Sequence, residues 1–306
     1  MQVQKEQYHI STIIKYFSAD PRHYQIGFLS IFLIYGLAFL HFDLNLITIA
    51  LIFFICFSTQ LLFVSFASHD YGSLKSACIS ALSLCLMLKT GDYMVAALAA
   101  FLSITGKFVF RYKFLGNRNG YKHFFNPTNF GIIAVLLFNN YAWISPGQWG
   151  SEGLLLFFIG SLGLIVLLKV KRLDTAFAFL LAYSALQFVH TSFILGWSAD
   201  VFLHQFTSGT LLLFTFFMIT DPVSTPSNQR ARIIWSMLIA ALAFYLSAYQ
   251  FVNGAPLWAL FLISPFTPLF DKFFKGEKFS WRRLTHEQKT KSKPAFSFVH
   301  YKNQLS

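Results

Sequence analysis

Long apolar runs separated by short polar segments dominate this sequence. A helix that crosses the hydrocarbon core of a bilayer needs roughly 17–25 apolar residues. Because backbone polar groups in lipid must be hydrogen-bonded within the protein, each run is expected to be helical. The pattern therefore predicts an all-α integral membrane protein with ten transmembrane helices. These are expected at 25–41, 45–66, 74–89, 93–111, 130–144, 153–169, 174–191, 204–219, 231–251 and 256–271.

The positions of Lys and Arg predict the orientation of these helices. Cytoplasmic loops carry an excess of positive charge. When alternate loops are assigned to two sides, all but one of the 24 Lys and Arg fall on the same side, and the exception is Lys89. We therefore expect both termini to lie in the cytoplasm. The segment 1–24 is expected to be a cytoplasmic N-terminal segment, and 273–306 a basic cytoplasmic tail that follows the ten-helix domain at 25–272.

Two passages suggest an internal repeat. SALSLCLMLKTGDY at 80–93 and SGTLLLFTFFMITDPV at 208–223 are apolar runs that end in Thr and Asp at a break. Each lies on the third helix of a half, with halves at about 25–145 and 153–272. Since each half holds an odd number of helices, the second must be inverted relative to the first. Inverted repeats with interrupted helices often mark a binding site near the membrane midplane.

Composition supports the membrane class and excludes several alternatives. The chain is 56% hydrophobic and 12% charged, about half the charged fraction of an average soluble domain. The net charge of +12 follows the loops and the tail, so we expect no nucleic-acid partner. Cys56, Cys78 and Cys85 lie in apolar runs without metal-ligand spacing, so no metal site is expected. No acidic residue lies in the middle of a span, which argues against an autonomous ion pump.

Three polar interruptions carry the candidate chemistry. GYKHFFNPTNFGIIAV at 120–135 places Asn126-Pro127 before a span, FFMITDPVSTP at 216–226 places Asp221-Pro222 after one, and SPFTPLFDKFF at 264–274 ends at Asp271. Together they resemble the NqrB/RnfD family, whose members are membrane subunits of the sodium-translocating NADH:quinone oxidoreductase and of the Rnf complex. These members carry FNP-x-x-(F/V)-G, FFM-x-TDP and PL-(I/F)-D segments in this order, with a Lys before the first segment.

The resemblance implies a ten-helix inverted-repeat protein of the bacterial inner membrane that binds flavin and passes electrons. In the family, a Thr after the fifth helix carries covalent FMN. The corresponding loop here, WISPGQWGSEG at 143–153, contains no Thr. We therefore expect riboflavin or FMN to be held non-covalently. The cofactor-binding residues expected from the matched motifs and their surroundings are Lys107, His123, Phe125, Asn126, Pro127, Gly131, Thr220, Asp221 and Pro222, and Asp271 is a candidate cation ligand.

Each of these polar residues also has a structural interpretation. Asn126 and Pro127 are typical of a helix N-terminus. Asp221 is expected either to take part in a site or to cap the 222–226 turn with Arg230 or Arg232 as its partner. His123 and Asp271 are expected at the membrane interface, as are Trp143 and Trp149, which are typical of an aromatic belt.

The sequence thus predicts a membrane electron-transfer protein, a non-catalytic subunit of a membrane oxidoreductase, that relays electrons to a redox partner or other membrane subunits. Asn126 and Asp221 are expected to share one central site. The alternative is an inverted-repeat transporter or permease for a small molecule.

Overall fold

The chain divides into two compact units. One is Pro21–Phe279, and the other joins Met1–Asp20 with Ser280–Ser306. The computed structural model describes residues 20–40, 42–67, 74–114, 120–145, 153–206, 208–279 and 281. The cytoplasmic N-terminal segment and most of the basic tail expected from the sequence lie outside the described residues.

Helices make up most of the unit Pro21–Phe279. The described helices are α1 (Pro21–Ala38), α2 (Leu46–Ala67), α3 (Leu74–Met87), α4 (Tyr93–Val109), α5 (Pro127–Phe138), α6 (Gly153–Val170), α7 (Leu173–Phe188), α8 (Ala199–Phe206), α9 (Gly209–Leu213), α10 (Gln229–Ala248), α11 (Ala255–Ile263) and α12 (Thr267–Phe273). π-helical turns extend α7 over Val189–Ile194 and α9 over Phe214–Met218, and a 3-10 turn at Ser264–Phe266 joins α11 to α12.

Each of the ten predicted segments contains a helix, so the mostly helical, apolar architecture is confirmed. Among the described residues, three helices are long and apolar enough to cross a membrane, namely Leu46–Phe66, Leu173–Ile194 and Gln229–Ala248. The others are shorter or are divided by turns. Ten membrane crossings therefore stay a prediction.

Two predicted helix ends were wrong because strands replace them. The helix expected to reach residue 144 ends at Phe138, and the one expected to reach Lys89 ends at Met87. Strands β1 (Leu88–Thr90) and β4 (Ala142–Ile144) follow these helices and pair with each other. This antiparallel pairing satisfies backbone groups that the ends of the helices leave free. A second ribbon, β2 (Arg111–Phe114) with β3 (Gly120–His123), follows α4.

The two halves of the unit share three helix pairings. In the first half, α2 packs on α4, α4 on α5, and α1 on α3. In the second half, α7 packs on α10, α10 on α11, and α6 on α9 with its π-helical extension. Helices α1 and α6 connect the halves, as do α5 and α11.

Candidate functional site

Asn126 starts α5 and fixes the direction in which the chain enters it. Its Oδ1 accepts a hydrogen bond from the Asn129 amide at 3.1 Å, and Pro127 occupies the first turn. The predicted helix N-terminus is therefore confirmed. One turn further on, Gly131 lies against α4, where a Cβ would come 2.5 Å from the Ala99 carbonyl oxygen. Glycine thus allows the close approach that the sequence predicts.

The same Asn126 side chain connects the FNP and TDP segments. Its Nδ2 donates to the Met218 carbonyl oxygen at 3.3 Å. Met218 ends the π-helical turn that precedes Thr220, Asp221 and Pro222. The two segments belong to different halves, and the buried Asn126 amide is in contact with both. Turns of π-helix often occur at functional sites, because they re-aim side chains and free carbonyl groups.

Asp221 caps the turn after this π-helical segment. Its Oδ1 accepts from the Val223 amide at 3.2 Å, and its Oδ2 accepts from the Ser224 hydroxyl at 2.9 Å. The cap expected over 222–226 is therefore present. Of the two arginines expected as its partner, Arg232 pairs instead with Asp174, 2.5 Å away, on α7. Asp221 lies nearer to His123, with 3.7 Å between its Oδ2 and the histidine Nε2.

His123 is not the interfacial residue that the sequence suggests. Its side chain is 12% exposed and faces Asp221, because the pairing of β3 with β2 turns it inward. Burial lowers the pKa of His123 below its ordinary value, although Asp221 opposes the shift. Burial also raises the pKa of Asp221, but His123, the Val223 amide and the Ser224 hydroxyl outweigh it and hold that pKa below its ordinary value. The pair at neutral pH is a neutral imidazole beside a carboxylate.

Asp271 is buried as well, contrary to the interfacial position expected for it. Its Oδ2 accepts from Lys122 Nζ at 2.8 Å and from the Tyr112 hydroxyl at 2.5 Å, and its Oδ1 accepts from the Ser227 amide at 2.6 Å. Burial and the carboxylate raise the pKa of Tyr112, so this hydroxyl stays a donor. The cation at Asp271 is thus the Lys122 ammonium, which takes the position expected for a bound ion.

Aromatic rings pack beside the Asn126 turn. Phe125 stacks on Phe261 of α11 with ring centroids 5.0 Å apart and planes 18° apart. The ring centroid of Phe130 lies 5.0 Å from that of Phe125. The Phe110 centroid lies 5.3 Å from Phe125 and 4.9 Å from Phe130. Phe124 completes the aromatic cluster Phe110/Phe124/Phe125/Phe130/Phe261. These rings surround the FNP turn with apolar surface, so polar groups in it are shielded from water.

The remaining residues predicted to bind the cofactor take no part in the contact between Asn126 and Met218. Lys107 is buried on α4, where its Nζ donates to Gln60 Oε1 at 2.5 Å and to Ser76 Oγ at 3.4 Å. It therefore connects α2, α3 and α4. Thr220 donates to the Phe216 carbonyl at 2.7 Å, and the Pro222 carbonyl accepts from Arg172 at 3.2 Å. Trp143 is half exposed on β4, whereas Trp149 lies outside the described residues.

Asn129 is a residue that the sequence analysis missed. Its side chain is completely buried, and within the described residues neither its Nδ2 nor its Oδ1 has a hydrogen-bond partner. Leaving both amide atoms unpaired is costly in a dry interior. Its position in the FNPTN segment, three residues after Asn126, was the sequence feature that could have identified it.

Lys122 was missed too, because a loop lysine at a membrane surface looks like an ordinary topology determinant.

One protein-family model matches the second half of the described unit. Residues 133–280 match the NQR2, RnfD, RnfE family. This part of the chain is similar to that family. The matched region includes the TDP and PLFD segments of this chain. It begins two residues after Gly131, so the FNP segment precedes it.

Curated proteins that are similar to this chain share one name. The chain is 29% identical over 133 residues to the D-subunit of an ion-translocating oxidoreductase complex from Stutzerimonas stutzeri, covering 42% of this chain and 36% of that protein. It is 31% identical over 126 residues to the D-subunit from Yersinia pestis, covering 41% and 34%. The D-subunit from Colwellia psychrerythraea is 30% identical over 126 residues, covering 41% and 34%. The matched part of the chain thus spans about a third of the length of these relatives.

Proposed function

We propose that this protein is a membrane electron-transfer subunit that binds a flavin non-covalently where its FNP and TDP segments meet. The observation that carries the proposal is the hydrogen bond from Asn126 Nδ2 to the Met218 carbonyl. It joins the two motif segments across the two halves of the unit. The relatives named as D-subunits of an ion-translocating oxidoreductase complex support the electron-transfer class.

The polar groups around this contact suit the edge of an isoalloxazine ring. That edge presents one N–H between two carbonyl groups. The Asn129 amide offers a donor and an acceptor that are unpaired among the described residues. Asp221 adds an acceptor, and neutral His123 can exchange a proton with a ring nitrogen. A flavin supplies the redox chemistry, while the chain orients it and sets its surroundings.

The aromatic cluster supports the same assignment. Phe125 and Phe261 stack in parallel beside the Asn126 turn. Flat rings pack well against such surfaces, in offset stacks or edge to face. The cluster also excludes water, which strengthens hydrogen bonds from Asn126 and Asn129 to a ligand. Non-covalent binding is proposed because the loop 143–153 contains no Thr.

We further propose ten membrane crossings in two inverted repeats, with both termini in the cytoplasm of a bacterium. The three helix pairings that the two halves share support this arrangement. So do two equivalent turns, since Asp92 caps α4 by accepting from the Met94 amide at 2.7 Å, much as Asp221 accepts from Val223. The partners proposed are other membrane subunits of an oxidoreductase complex, as the names of the relatives suggest.

The absorption spectrum of the purified protein between about 350 and 500 nm tests the proposal. We expect flavin bands that leave with the small-molecule fraction after denaturation. Asn126→Ala and Asp221→Asn should each weaken binding by about 1–3 kcal/mol, as expected for a hydrogen bond lost in a dry site. Their effects should not add, because both residues would contact one ligand.

A matched control is Asp92→Asn, which changes the equivalent turn in the other repeat and should leave flavin binding intact. Full flavin occupancy in both site variants would show that Asn126 and Asp221 only cap their turns. Absence of flavin together with specific uptake of a small molecule into proteoliposomes would favour the permease instead.

A further inference from the structure

Lys89 combines three unusual properties. It is the one Lys or Arg that the charge pattern assigns to the outer side of the membrane. It is also buried, with 9% of its surface exposed. Among the described residues, its Nζ has no hydrogen-bond partner. A buried ammonium group without a hydrogen-bond acceptor destabilises the folded state. We therefore expect Lys89 to have a function other than stabilising the fold.

Pairing of β1 with β4 determines where Lys89 points. Lys89 and Trp143 are direct partners in the antiparallel register, so their side chains lie on the same face of the ribbon. The ladder continues with a hydrogen bond from the Ser145 amide to the Met87 carbonyl at 2.8 Å. The pairing therefore extends one residue beyond the strands at this end, and the ribbon holds the lysine and the tryptophan side by side.

A cavity of about 490 Å³ opens on this face of the ribbon. Its lining includes Lys89, Trp143, Phe42, Tyr93, Asn45 and Asp43. The Lys89 ammonium lies 4.5 Å from the centre of the Phe42 ring, a cation–π contact that holds it in place but supplies no acceptor. A volume of this size is within the range of small-molecule sites, and it far exceeds a single water molecule.

This cavity is distinct from the flavin site proposed above. It lies at the N-terminal end of α4, beside Tyr93, whereas the hairpin that carries His123 follows the C-terminal end of the same helix. The 17 residues of α4 separate the two places by about 25 Å. No residue that we assign to the flavin site lines the cavity.

We infer that this cavity binds a ligand through an anionic oxygen group, a phosphate or a carboxylate, which accepts hydrogen bonds from Lys89. The aromatic lining takes an apolar portion of the ligand, and it includes Tyr93, whose hydroxyl accepts from Asn45 Nδ2 at 3.2 Å. Asp43 is exposed at the rim. Its negative charge opposes an anion, so it limits affinity and disfavours ligands with several charges.

Two sources provide such a group, an anionic lipid headgroup or a soluble metabolite. Thermal unfolding of the purified full chain in a neutral detergent distinguishes them, because a ligand that binds only the folded state raises the unfolding temperature. One titration uses inorganic phosphate at constant ionic strength balanced with chloride. Another uses phosphatidylglycerol added to the micelles, with phosphatidylcholine as the comparison. We expect stabilisation by at least one of the two anionic probes.

Three variants test whether the effect depends on the cavity. Lys89→Met should weaken binding by roughly tenfold or more, since it removes a charged donor. In the absence of ligand, the same variant should unfold at a higher temperature, since it lacks a buried ammonium without a hydrogen-bond acceptor. Lys89→Arg should retain binding. Asp43→Asn should strengthen binding several-fold, on the order of the effect of one nearby like charge.

Lys113→Met is the control, because Lys113 is an exposed lysine on β2. It should respond to the probes as the unaltered protein does. The proposal is overturned if neither anionic probe stabilises the protein, or if Lys89→Met and the unaltered protein respond equally. A lower unfolding temperature for ligand-free Lys89→Met would also overturn it, since Lys89 would then be a structural support for Phe42.

Discussion

The ammonium of Lys122 lies 2.8 Å from the carboxylate of Asp271, although 149 residues separate the two in the chain. Both side chains are nearly inaccessible, at 1% and 3% exposed. Lys122 also donates to the Thr225 carbonyl and to the Ser227 hydroxyl. The ion pair therefore joins the β2–β3 hairpin, the segment after the TDP turn and α12. It holds the two sides of the proposed flavin site together without touching the Asn126 amide.

We expect Asp271→Asn to lower the free energy of unfolding by about 3–5 kcal/mol, since it leaves a buried ammonium without its counter-charge. Replacing both residues, as in Lys122→Met with Asp271→Leu, should cost less than the sum of the two single changes. Unfolding of the purified variants in mixed micelles measures this. Additive losses would show that the two charges do not depend on each other.

Stability should depend on pH through His123. Its folded-state pKa lies below the ordinary value of 6.5. Between those two values the unfolded chain binds a proton here that the folded chain does not, so stability falls as pH falls through this window. The lowered pKa of Asp221 affects stability only at still lower pH, below 3.8, the ordinary pKa of an aspartate.

His123→Gln should therefore lose less stability than the unaltered protein between about pH 7.5 and 5.5. Unfolding temperatures measured across that range give the comparison. His204→Gln, at an exposed position on α8, is the control and should follow the unaltered protein. Parallel pH profiles for His123→Gln and the unaltered protein would rule out a buried neutral histidine.

Gly131→Ala should destabilise the packing of α5 on α4. The added Cβ would lie 2.5 Å from the Ala99 carbonyl oxygen and 2.8 Å from the Ser103 Cβ, and the backbone cannot yield easily. Overpacking of this kind costs about 1–3 kcal/mol. Gly160→Ala on α6 is the matched control, because a Cβ there meets nothing within 4 Å. Equal stability for the two variants would mean that α5 can shift away from α4.

Membrane orientation can be tested at two exposed positions. Tyr121 on β3 is predicted to face the cytoplasm, and Asn140, just after α5, the outside. In intact cells, a membrane-impermeant thiol reagent should modify Asn140→Cys and spare Tyr121→Cys. Lysis should make both reactive. Rapid labelling of Tyr121→Cys in intact cells would overturn the predicted topology.

Part of the candidate site could be predicted from the sequence, because the motifs that indicate it involve only neighbouring residues. Asn-Pro before an apolar run marks a helix start, since Asn caps the free amides and Pro fits the first turn. Asp-Pro after a run marks a helix end. Gly131 predicted a close backbone approach, and the structure places Ala99 and Ser103 there. Each of these inferences depends on a few neighbouring residues.

The partners of those residues could not be predicted locally. Arg232 was a reasonable partner for Asp221 by sequence distance, yet it pairs with Asp174 on α7. His123 and Asp271 stand beside polar loop residues and so looked interfacial, but the hairpin and α12 bury them. Burial of a loop depends on what packs over it, which neighbouring residues do not reveal.

The sequence by itself determined the membrane-protein class, the helical segments and the turns at the motifs. The features that indicate them, namely the length of apolar runs and the Asn-Pro or Asp-Pro breaks, each depend on residues close together in the chain. Only the tertiary structure decided that Asn126 contacts Met218, that Lys122 neutralises Asp271, and that Lys89 faces a cavity beside Trp143. These contacts join residues far apart in the chain. Their geometry follows from how helices and strands pack, and the free energy of burying a charge or an amide depends on the groups that packing brings against it.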